Sequence, residues 1–224
     1  MDAKSPSLAK RRIRSEVRER RRDVFAGEKG AALRSEHAQS IRENAGPLFE
    51  KIDELVAGAA EEFAPAPLVA VFRPEHDEAD VMPLVREMIA HGARVIFPVA
   101  GDGKELDWAL WDGDSDFIDS PARGFGAEPT GDRLGAEALE DVELVLAPAV
   151  AVDRSATRIG HGGGYYDRAL RHLAPESPVV VIVHPWEVLE AGSLPRMDHD
   201  LPVDAVLTAD GLEVLSDRPL WSPR

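Results

Sequence analysis

The sequence predicts an α/β fold: a three-layer sandwich with a mostly parallel central sheet, helices on both faces and a helical N-terminus. Short, fully apolar runs rich in Val and Ile alternate with segments of helical period, which is typical of parallel strands covered by helices. Before residue 63 the period is helical throughout. The 224 residues contain no internal repeat and no clear linker, so we expect a single domain over residues 1–224.

Periodicity and turn residues predict the elements in order. Ile13, Val17 and Val24 recur at helical spacing, the pattern continues to Leu48, and the pair Gly46-Pro47 interrupts this helix or starts a new one. Further helices are expected over residues 51–63, 81–91 and 165–173. Strands are expected over residues 68–72, 94–100, 106–111, 144–147, 179–183 and 205–208.

Composition and charge exclude several classes of function. The 26 Lys and Arg residues against 41 Asp and Glu residues give a net charge of −15, which argues against a sequence-independent nucleic-acid binder. The absence of cysteine excludes disulfides, thiolate metal sites and cysteine nucleophiles. No apolar run approaches the roughly 20 residues of a membrane span, and the charged N-terminus lacks the apolar region of a signal peptide. We therefore predict a cytoplasmic protein with neither a nucleic-acid nor a membrane partner.

The N-terminal segment is basic although the chain is acidic. Residues 4–22 carry nine Lys or Arg residues against two Glu residues. Such a run is ordinarily a solvated helix face. The alternative is an anion site, because Lys10, Arg14, Arg18 and Arg21 fall near one helix face, where they can converge on a polyphosphate. For residues 20–22 as a group we expect the solvated face.

A glycine-rich loop follows Arg158 and precedes a predicted helix that starts near Tyr165. Its four glycines, at positions 160 and 162–164, permit positive φ angles and a close approach of bare backbone to a ligand. The N–H groups at the helix start favour an anion, and Arg158 can add a two-point contact to a phosphate. The loop matches neither the Walker pattern nor the dinucleotide fingerprint. A purely structural turn is the alternative.

Acidic and aromatic side chains supply the other candidates. Asp167, in the first turn of the predicted helix, and Asp200 suit Mg²⁺ beside phosphates, although the helix dipole alone also accounts for Asp167. Glu78 follows the first buried strand, where ligands of α/β sheets gather. Of the adjacent Tyr165 and Tyr166, one is expected to pack on the core and the other to face the loop. Residues whose roles stay open are His161, His199, Trp108, Trp111 and Phe125.

These segments together resemble the 5-formyltetrahydrofolate cyclo-ligase family, also called the 5,10-methenyltetrahydrofolate synthetases. Residues 158–167 reproduce the family block R-L-G-x-G-x-G-Y-Y-D with Ile159 for Leu. Four further family segments occur in the family's order, at residues 10–14, 78–81, 124–129 and 194–208. Val81 for Thr, Ala156 for Gly and Val152 for Phe are departures, and none of them removes a charged group.

The resemblance implies an enzyme that uses ATP and Mg²⁺ to close 5-formyltetrahydrofolate, with or without a polyglutamate tail, to 5,10-methenyltetrahydrofolate. It implies that phosphoryl transfer activates the formyl oxygen before N10 attacks, with release of ADP and phosphate. Carried over by position, the ATP site comprises Lys10, Arg14, Arg158, Gly160, His161, Gly162, Gly163, Gly164, Tyr165 and Tyr166. The catalytic cations are Lys10 and Arg158, the metal ligands Asp167 and Asp200, and the substrate-binding residues Glu78, Arg73 and Tyr165. We expect a monomer.

Two other functions stay open. A sugar-phosphate isomerase or CoA-transferase-like enzyme has a similar sheet and would use the glycine loop for one phosphate without ATP. The pairs Lys10/Arg14 and Asp167/Asp200 suit a polyphosphate with Mg²⁺ better. The second is a non-catalytic nucleotide- or folate-binding relative, or an RNA-associated one that uses the basic N-terminus.

Overall fold

Three helices form the N-terminal part of the chain. The computed structural model describes residues 6–101, 105–121, 126–197, 200–217 and 219–221. Helices α1 (Pro6–Val24), α2 (Gly27–Asn44) and α3 (Gly46–Glu62) confirm the predicted helical N-terminus. Pro47 falls in the first turn of α3, where its missing N–H has no helical partner to lose. None of the helices in the described ranges combines the length and apolar character that crossing a bilayer requires.

A seven-stranded sheet forms the centre of the molecule. The strands of the described residues are β1 (Leu68–Ala70), β2 (Arg94–Ala100), β3 (Leu106–Trp111), β4 (Ile118–Asp119), β5 (Ala127–Glu128), β6 (Val142–Pro148), β7 (Ala151–Asp153), β8 (Arg158–Ile159), β9 (Val179–Ile182), β10 (Val188–Leu189), β11 (Ala205–Thr208) and β12 (Gly211–Val214). The central sheet has the order β12-β11-β9-β6-β1-β2-β3. The five inner strands are parallel, and the edge strands β3 and β12 are antiparallel to their neighbours.

Alternate residues of the inner strands enter two separate cores, as the pleat requires. Val69 packs into the core beneath α2, α3 and α4 (Met82–Ala90), whereas Ala70 packs into the core on the other face. That other face is covered by the 3-10 helix Ala136–Asp141 and the short helix α5 (Tyr165–Ala169). The predicted three-layer arrangement is confirmed, although the helical layer on this second face of the sheet is thinner than the one on the first.

Several element bounds agree with the sequence, and α5 does not. The bounds of β2, β3 and β11 are those predicted. Helix α5 ends at Ala169 rather than at residue 173, because three-residue turns replace helical bonding: His172 N donates to Ala169 O at 3.0 Å and Leu173 N to Leu170 O at 3.4 Å. The small sheets β10-β7-β8 and β4-β5 were not predicted, since strands this short leave no readable period.

Candidate active site

A cavity of about 590 Å³ lies at the carboxyl ends of β1 and β6, between α1 and the loop that follows β8. Every residue predicted from the sequence to bind ATP, substrate or metal lines it. These residues are Lys10, Arg14, Arg73, Glu78, Arg158, Gly160, His161, Gly162, Gly163, Gly164, Tyr165, Tyr166, Asp167 and Asp200. We call Lys10, Arg14, Arg158 and residues 160–164 the cationic wall. We call Glu78, with the buried Arg21, Glu187 and His184 behind it, the acidic wall.

Helix α1 presents two side chains of the cationic wall, one helical turn apart. Lys10 is buried, and its Nζ donates a hydrogen bond to the Asp200 carboxylate, which is also buried. Arg14 is half-buried, and its Nε donates to the carbonyl oxygen of Gly160 at 2.7 Å. The structure therefore brings the N-terminal cations onto the glycine loop, as the sequence predicted for Lys10 and Arg14. Arg18 is exposed and does not line the cavity.

Arg158 stands on β8, the second strand of a hairpin with β7. It is 4 % exposed, and its Nη2 donates to Asp167 Oδ1 at 2.7 Å. Its Nε is buried and has no hydrogen-bond partner among the described residues. A buried N–H without an acceptor is costly, so this nitrogen marks a place for an anionic ligand. Ala156, in the turn before Arg158, has φ of 61°, the left-handed conformation that the family's glycine adopts easily.

Backbone conformation requires two of the four loop glycines, Gly162 and Gly164, and space requires Gly163. Gly162 and Gly164 have φ of 107° and 68°. A Cβ at Gly163 would lie 2.7 Å from the Tyr165 ring, and one at Gly162 would lie 3.4 Å from Arg14 Cζ. Helix α5, which follows, has only five residues, so few peptide dipoles align behind the loop. The side-chain cations therefore supply most of the positive charge that the sequence analysis attributed in part to the helix start.

Glu78 carries an acceptor atom that the described protein groups leave unbonded. It is 5 % exposed, and its Oε2 accepts a hydrogen bond from Glu75 N at 2.9 Å. Its Oε1 lies 3.2 Å from His161 Nε2, without hydrogen-bond alignment, and 3.6 Å from Arg21 Nη1, which is too long for a hydrogen bond. Burial alone would raise the pKa of Glu78. The His161 imidazole, the Glu75 amide and the Arg21 charge outweigh burial and lower this pKa below its ordinary value.

Arg21 corrects the expectation that residues 20–22 form a solvated face. It is 2 % exposed, and its Nε and Nη2 donate to the two Glu187 carboxylate oxygens at 2.6 and 3.0 Å. Its neighbour Arg20 lies 4.4 Å over the Trp186 ring, and Arg22 alone of the three is exposed without such a contact among the described residues. Glu187 and His184 were missed, although their position directly after a buried strand is the same signal that singled out Glu78.

His184 is the neutral member of the acidic wall. Burial lowers its pKa to about 3, although a hydrogen bond to Asp77 O opposes the shift. A neutral ring fits its contacts, in which Nε2 donates to Asp77 O at 3.2 Å and Nδ1 accepts from His37 Nδ1 at 3.3 Å. The same burial raises the pKa of Glu187, against the two hydrogen bonds from Arg21.

Tyr166 packs on the core, as predicted for one tyrosine of the pair, although both tyrosines line the cavity. The Tyr166 ring packs edge-on against Trp108, with ring centres 6.4 Å apart, and burial raises the pKa of its hydroxyl. Tyr165 is 36 % exposed at the cavity rim, where Arg168 lies 5.3 Å from its ring centre.

Two of the aromatic residues whose roles the sequence left open belong to the core. Trp108 and Trp111 are buried and do not line the cavity. His199 and Phe125 lie outside the described residues.

The two predicted metal ligands are each paired with a cation. Asp167 binds Arg158, and Asp200 binds Lys10. Nowhere in the described ranges do three or more His, Asp or Glu side chains gather into a metal-binding group. The donor set fits a Mg²⁺ ion that takes one or two carboxylates and completes its shell with phosphate oxygens and water.

The fold and the cavity define an α/β protein in which a glycine-rich loop with cationic side chains and a buried carboxylate line one cavity. The comparisons with known proteins agree with this class and narrow it. The chain belongs to the 5-formyltetrahydrofolate cyclo-ligase family, whose model matches residues 6–209.

Relatives of known name carry the same designation. The 5-formyltetrahydrofolate cyclo-ligase of Mycolicibacterium smegmatis is 35 % identical over 146 residues, which cover 62 % of this chain and 72 % of that protein. The NMR structure of Aquifex aeolicus 5,10-methenyltetrahydrofolate synthetase matches with a TM-score of 0.69 at 27 % identity and covers 94 % of each chain. The Mycoplasma pneumoniae synthetase has a TM-score of 0.60 at 18 % identity, covering 89 % of this chain and 98 % of that chain, and supports the fold alone.

Proposed function

We propose that this chain catalyses the ATP- and Mg²⁺-dependent cyclisation of 5-formyltetrahydrofolate to 5,10-methenyltetrahydrofolate, with release of ADP and phosphate. The observation that carries the proposal is the meeting of the cationic wall and Glu78 in one cavity, because the reaction needs a polyphosphate and a pterin side by side. Family membership and the names of the relatives support the same substrate and product.

The chemistry requires positioning and charge neutralisation rather than a nucleophilic side chain. The formyl oxygen attacks the γ-phosphorus, and the bond from that phosphorus to ADP breaks. The N10 lone pair then attacks the activated formyl carbon, the carbon–oxygen bond breaks and phosphate leaves. The N10 proton is lost as the ring closes. A chain without cysteine can perform each of these steps.

The cationic wall supplies the neutralising charge. Lys10 and Arg158 exchange their carboxylate partners for phosphate oxygens, and the unbonded Nε of Arg158 gains an acceptor. Each such contact to a transferring phosphoryl group contributes on the order of 2–4 kcal/mol to lowering the barrier. Asp167 and Asp200, released from these cations, would hold Mg²⁺, which supplies further neutralisation between the phosphates when bound.

The acidic wall holds the folate. Glu78 Oε1 accepts hydrogen bonds from N–H groups of the pterin, and Tyr165 covers the ring at the rim of the cavity. Arg73 is exposed nearby, with its guanidinium 4.8 Å from the Phe117 ring centre, and it contacts the outer part of the substrate. The cytoplasmic location and monomeric state predicted from the sequence belong to this proposal, and cell fractionation and light scattering of the purified protein check them.

The decisive experiment mixes purified protein with MgATP and 5-formyltetrahydrofolate and follows the near-ultraviolet absorbance of the methenyl product. Product formation that requires ATP supports the proposal. Nucleotide binding without product would identify a sensor, and no stabilisation by ATP in a thermal melt would favour an enzyme for a single phosphate. Retention on RNA at physiological salt would identify an RNA-associated relative.

A further inference from the structure

Arg21 is the buried cation of the acidic wall and lies on the same helix as Lys10 and Arg14. It is 2 % exposed and does not line the cavity. The guanidinium joins parts of the molecule that are far apart in sequence, namely α1, the residue after β6 and the 3-10 helix Pro185–Glu187. None of these contacts involves the cationic wall. The run of arginines on α1 does not by itself predict them.

Glu187 and Ala149 hold the plane of the guanidinium. Glu187 accepts from Nε at 2.6 Å and from Nη2 at 3.0 Å, and the carbonyl oxygen of Ala149 accepts from Nη2 at 3.0 Å. Because these contacts use one edge of the fork, the remaining nitrogen, Nη1, faces Glu78 Oε1 at 3.6 Å. This separation is close enough for a strong charge interaction and too long for a hydrogen bond.

We propose that Arg21 is a positioning residue that, tethered by Glu187, keeps Glu78 charged while leaving its Oε1 lone pairs available to the substrate. The inference rests on the proposed role of Glu78 in binding the folate. A direct hydrogen bond from Arg21 would occupy the very acceptor that the pterin N–H groups need. The tether opposes that bond, because a shift of Arg21 toward Glu78 stretches its two bonds to Glu187.

The other charged or titratable groups around Glu78 do not replace Arg21. His161 approaches from the glycine loop, but its side chain is 43 % exposed, so solvent screens its interaction with Glu78. Tyr166, on α5, is neutral, and Glu187 repels Glu78 rather than stabilising it. Arg34, on α2, donates to the backbone oxygen of Glu78 at 2.8 Å and not to its carboxylate. Arg21 is therefore the buried cation beside the Glu78 carboxylate.

The test uses two variants that are expected to shift the acid limb of kcat/KM in opposite directions. The double variant Arg21→Met/Glu187→Met removes both buried charges with side chains of similar bulk, which avoids leaving one ion unpaired. We expect the KM for 5-formyltetrahydrofolate to rise at least about tenfold, with the ATP dissociation constant within about twofold of the wild type. The acid limb of kcat/KM for the folate should move to higher pH, because Glu78 has lost a neighbouring cation.

In Glu187→Gln the tether is weakened, so Arg21 moves onto Glu78. We expect a higher KM for the folate here too, but with the acid limb at lower pH, because the cation is now closer. Arg154→Met, a change of an exposed arginine outside the cavity, is the matched control and should change neither quantity. Circular dichroism melts establish folding, and if the double variant does not fold, Glu187→Gln alone decides.

Wild-type values of the folate KM and acid limb in the folded variants overturn the inference and leave the proposed function standing. A wild-type protein that makes no methenyl product overturns both. Parallel losses of ATP and folate affinity, without a shift of the acid limb, identify Arg21 as a residue that only docks α1 and also overturn the inference.

Discussion

The cationic wall and the acidic wall of the cavity differ in what lies behind them. Each cation of the first has an ionic or carbonyl partner beside the cavity: Asp200 for Lys10, the Gly160 carbonyl for Arg14 and Asp167 for Arg158. Such partners are exchangeable, because a phosphate oxygen can take the place of each one. The cationic wall is therefore arranged to change partners when a polyanion arrives.

The acidic wall is arranged to stay as it is. Glu78 presents one oxygen to the cavity, and behind it Arg21, Glu187 and His184 are almost fully buried and bonded to one another or to backbone. Changing any of these contacts leaves a buried polar group unsatisfied. Under the proposed function, ATP therefore binds by an exchange of partners and the folate binds to a preformed acceptor.

Loss of a cation from the exchangeable side should have the largest effect on activity. In Arg158→Ala we expect turnover to fall at least about tenfold, about 1.4 kcal/mol in the transition state, because a contact to the transferring phosphoryl group is lost. Steady-state kinetics with Arg154→Ala as the control measure this. Unchanged kinetics in a folded Arg158→Ala protein would remove Arg158 from the cationic wall's function.

The preformed side should be sensitive to acid. The pKa of His184 is lowered to about 3 in the folded state. Below pH 6.5, its ordinary pKa, the unfolded chain therefore binds more protons than the folded protein does. Stability from this group is full above that value and declines as pH falls, by about 2 kcal/mol between pH 7 and pH 5.

Urea unfolding at the two pH values, with His184→Gln beside the wild type, measures this difference. Glu187 titrates in the opposite direction, so the quantity to compare is the change in pH dependence between the two proteins. Equal dependence would show that the His184 ring is not held neutral.

The substitution Glu78→Gln tests whether the two walls bind different ligands. It keeps the shape of the side chain but replaces the charged acceptor by a neutral amide, so the KM for the folate should rise about tenfold while ATP binding is kept. Initial rates at varied folate and varied ATP give the two constants. Equal losses for both ligands would contradict the division into two walls.

The smallest effect is expected in the hairpin that presents Arg158. Ala156 has φ of 61°, which a glycine adopts without strain. Ala156→Gly should therefore raise the free energy of unfolding by less than about 1 kcal/mol, since part of the gain is offset by the entropy of the unfolded glycine. Ala57→Gly, on the exposed side of α3, is the control and should lower it by about 1 kcal/mol. A destabilised Ala156→Gly protein would show that the methyl group's packing outweighs the strain.

The residues that line the cavity could be predicted from the sequence because most of them lie in a few short segments. The block from Arg158 to Asp167 places loop, cation and carboxylate together, and apolar runs were enough to predict β2, β3 and β11. The pairings within the cavity could not be predicted in this way. The sequence around Asp167 and Asp200 does not show that each forms an ion pair with a cationic side chain. Tertiary packing decides which cation each carboxylate meets.

Arg21 shows where such reasoning stops. It lies between Arg20 and Arg22 in an unbroken basic run, and the residue that explains its burial, Glu187, is 166 positions away. Helical spacing alone placed Arg21 near the face of Lys10 and Arg14, but only the docking of α1 decides whether that face meets solvent, phosphate or protein. The predicted end of α5 was too late for a similar reason. Where this helix ends depends on how the residues after Ala169 bond and pack.

Helix α1 joins the two walls, since it carries Lys10 and Arg14 at one end and the buried Arg21 near the other. Local opening of this helix would remove all three side chains from their partners at once. A ligand that engages only Lys10 and Arg14 must therefore slow amide hydrogen exchange along the whole helix to Val24, well beyond the atoms it touches. Nucleotide binding would therefore be measurable as slower hydrogen exchange at backbone amides that do not contact the nucleotide.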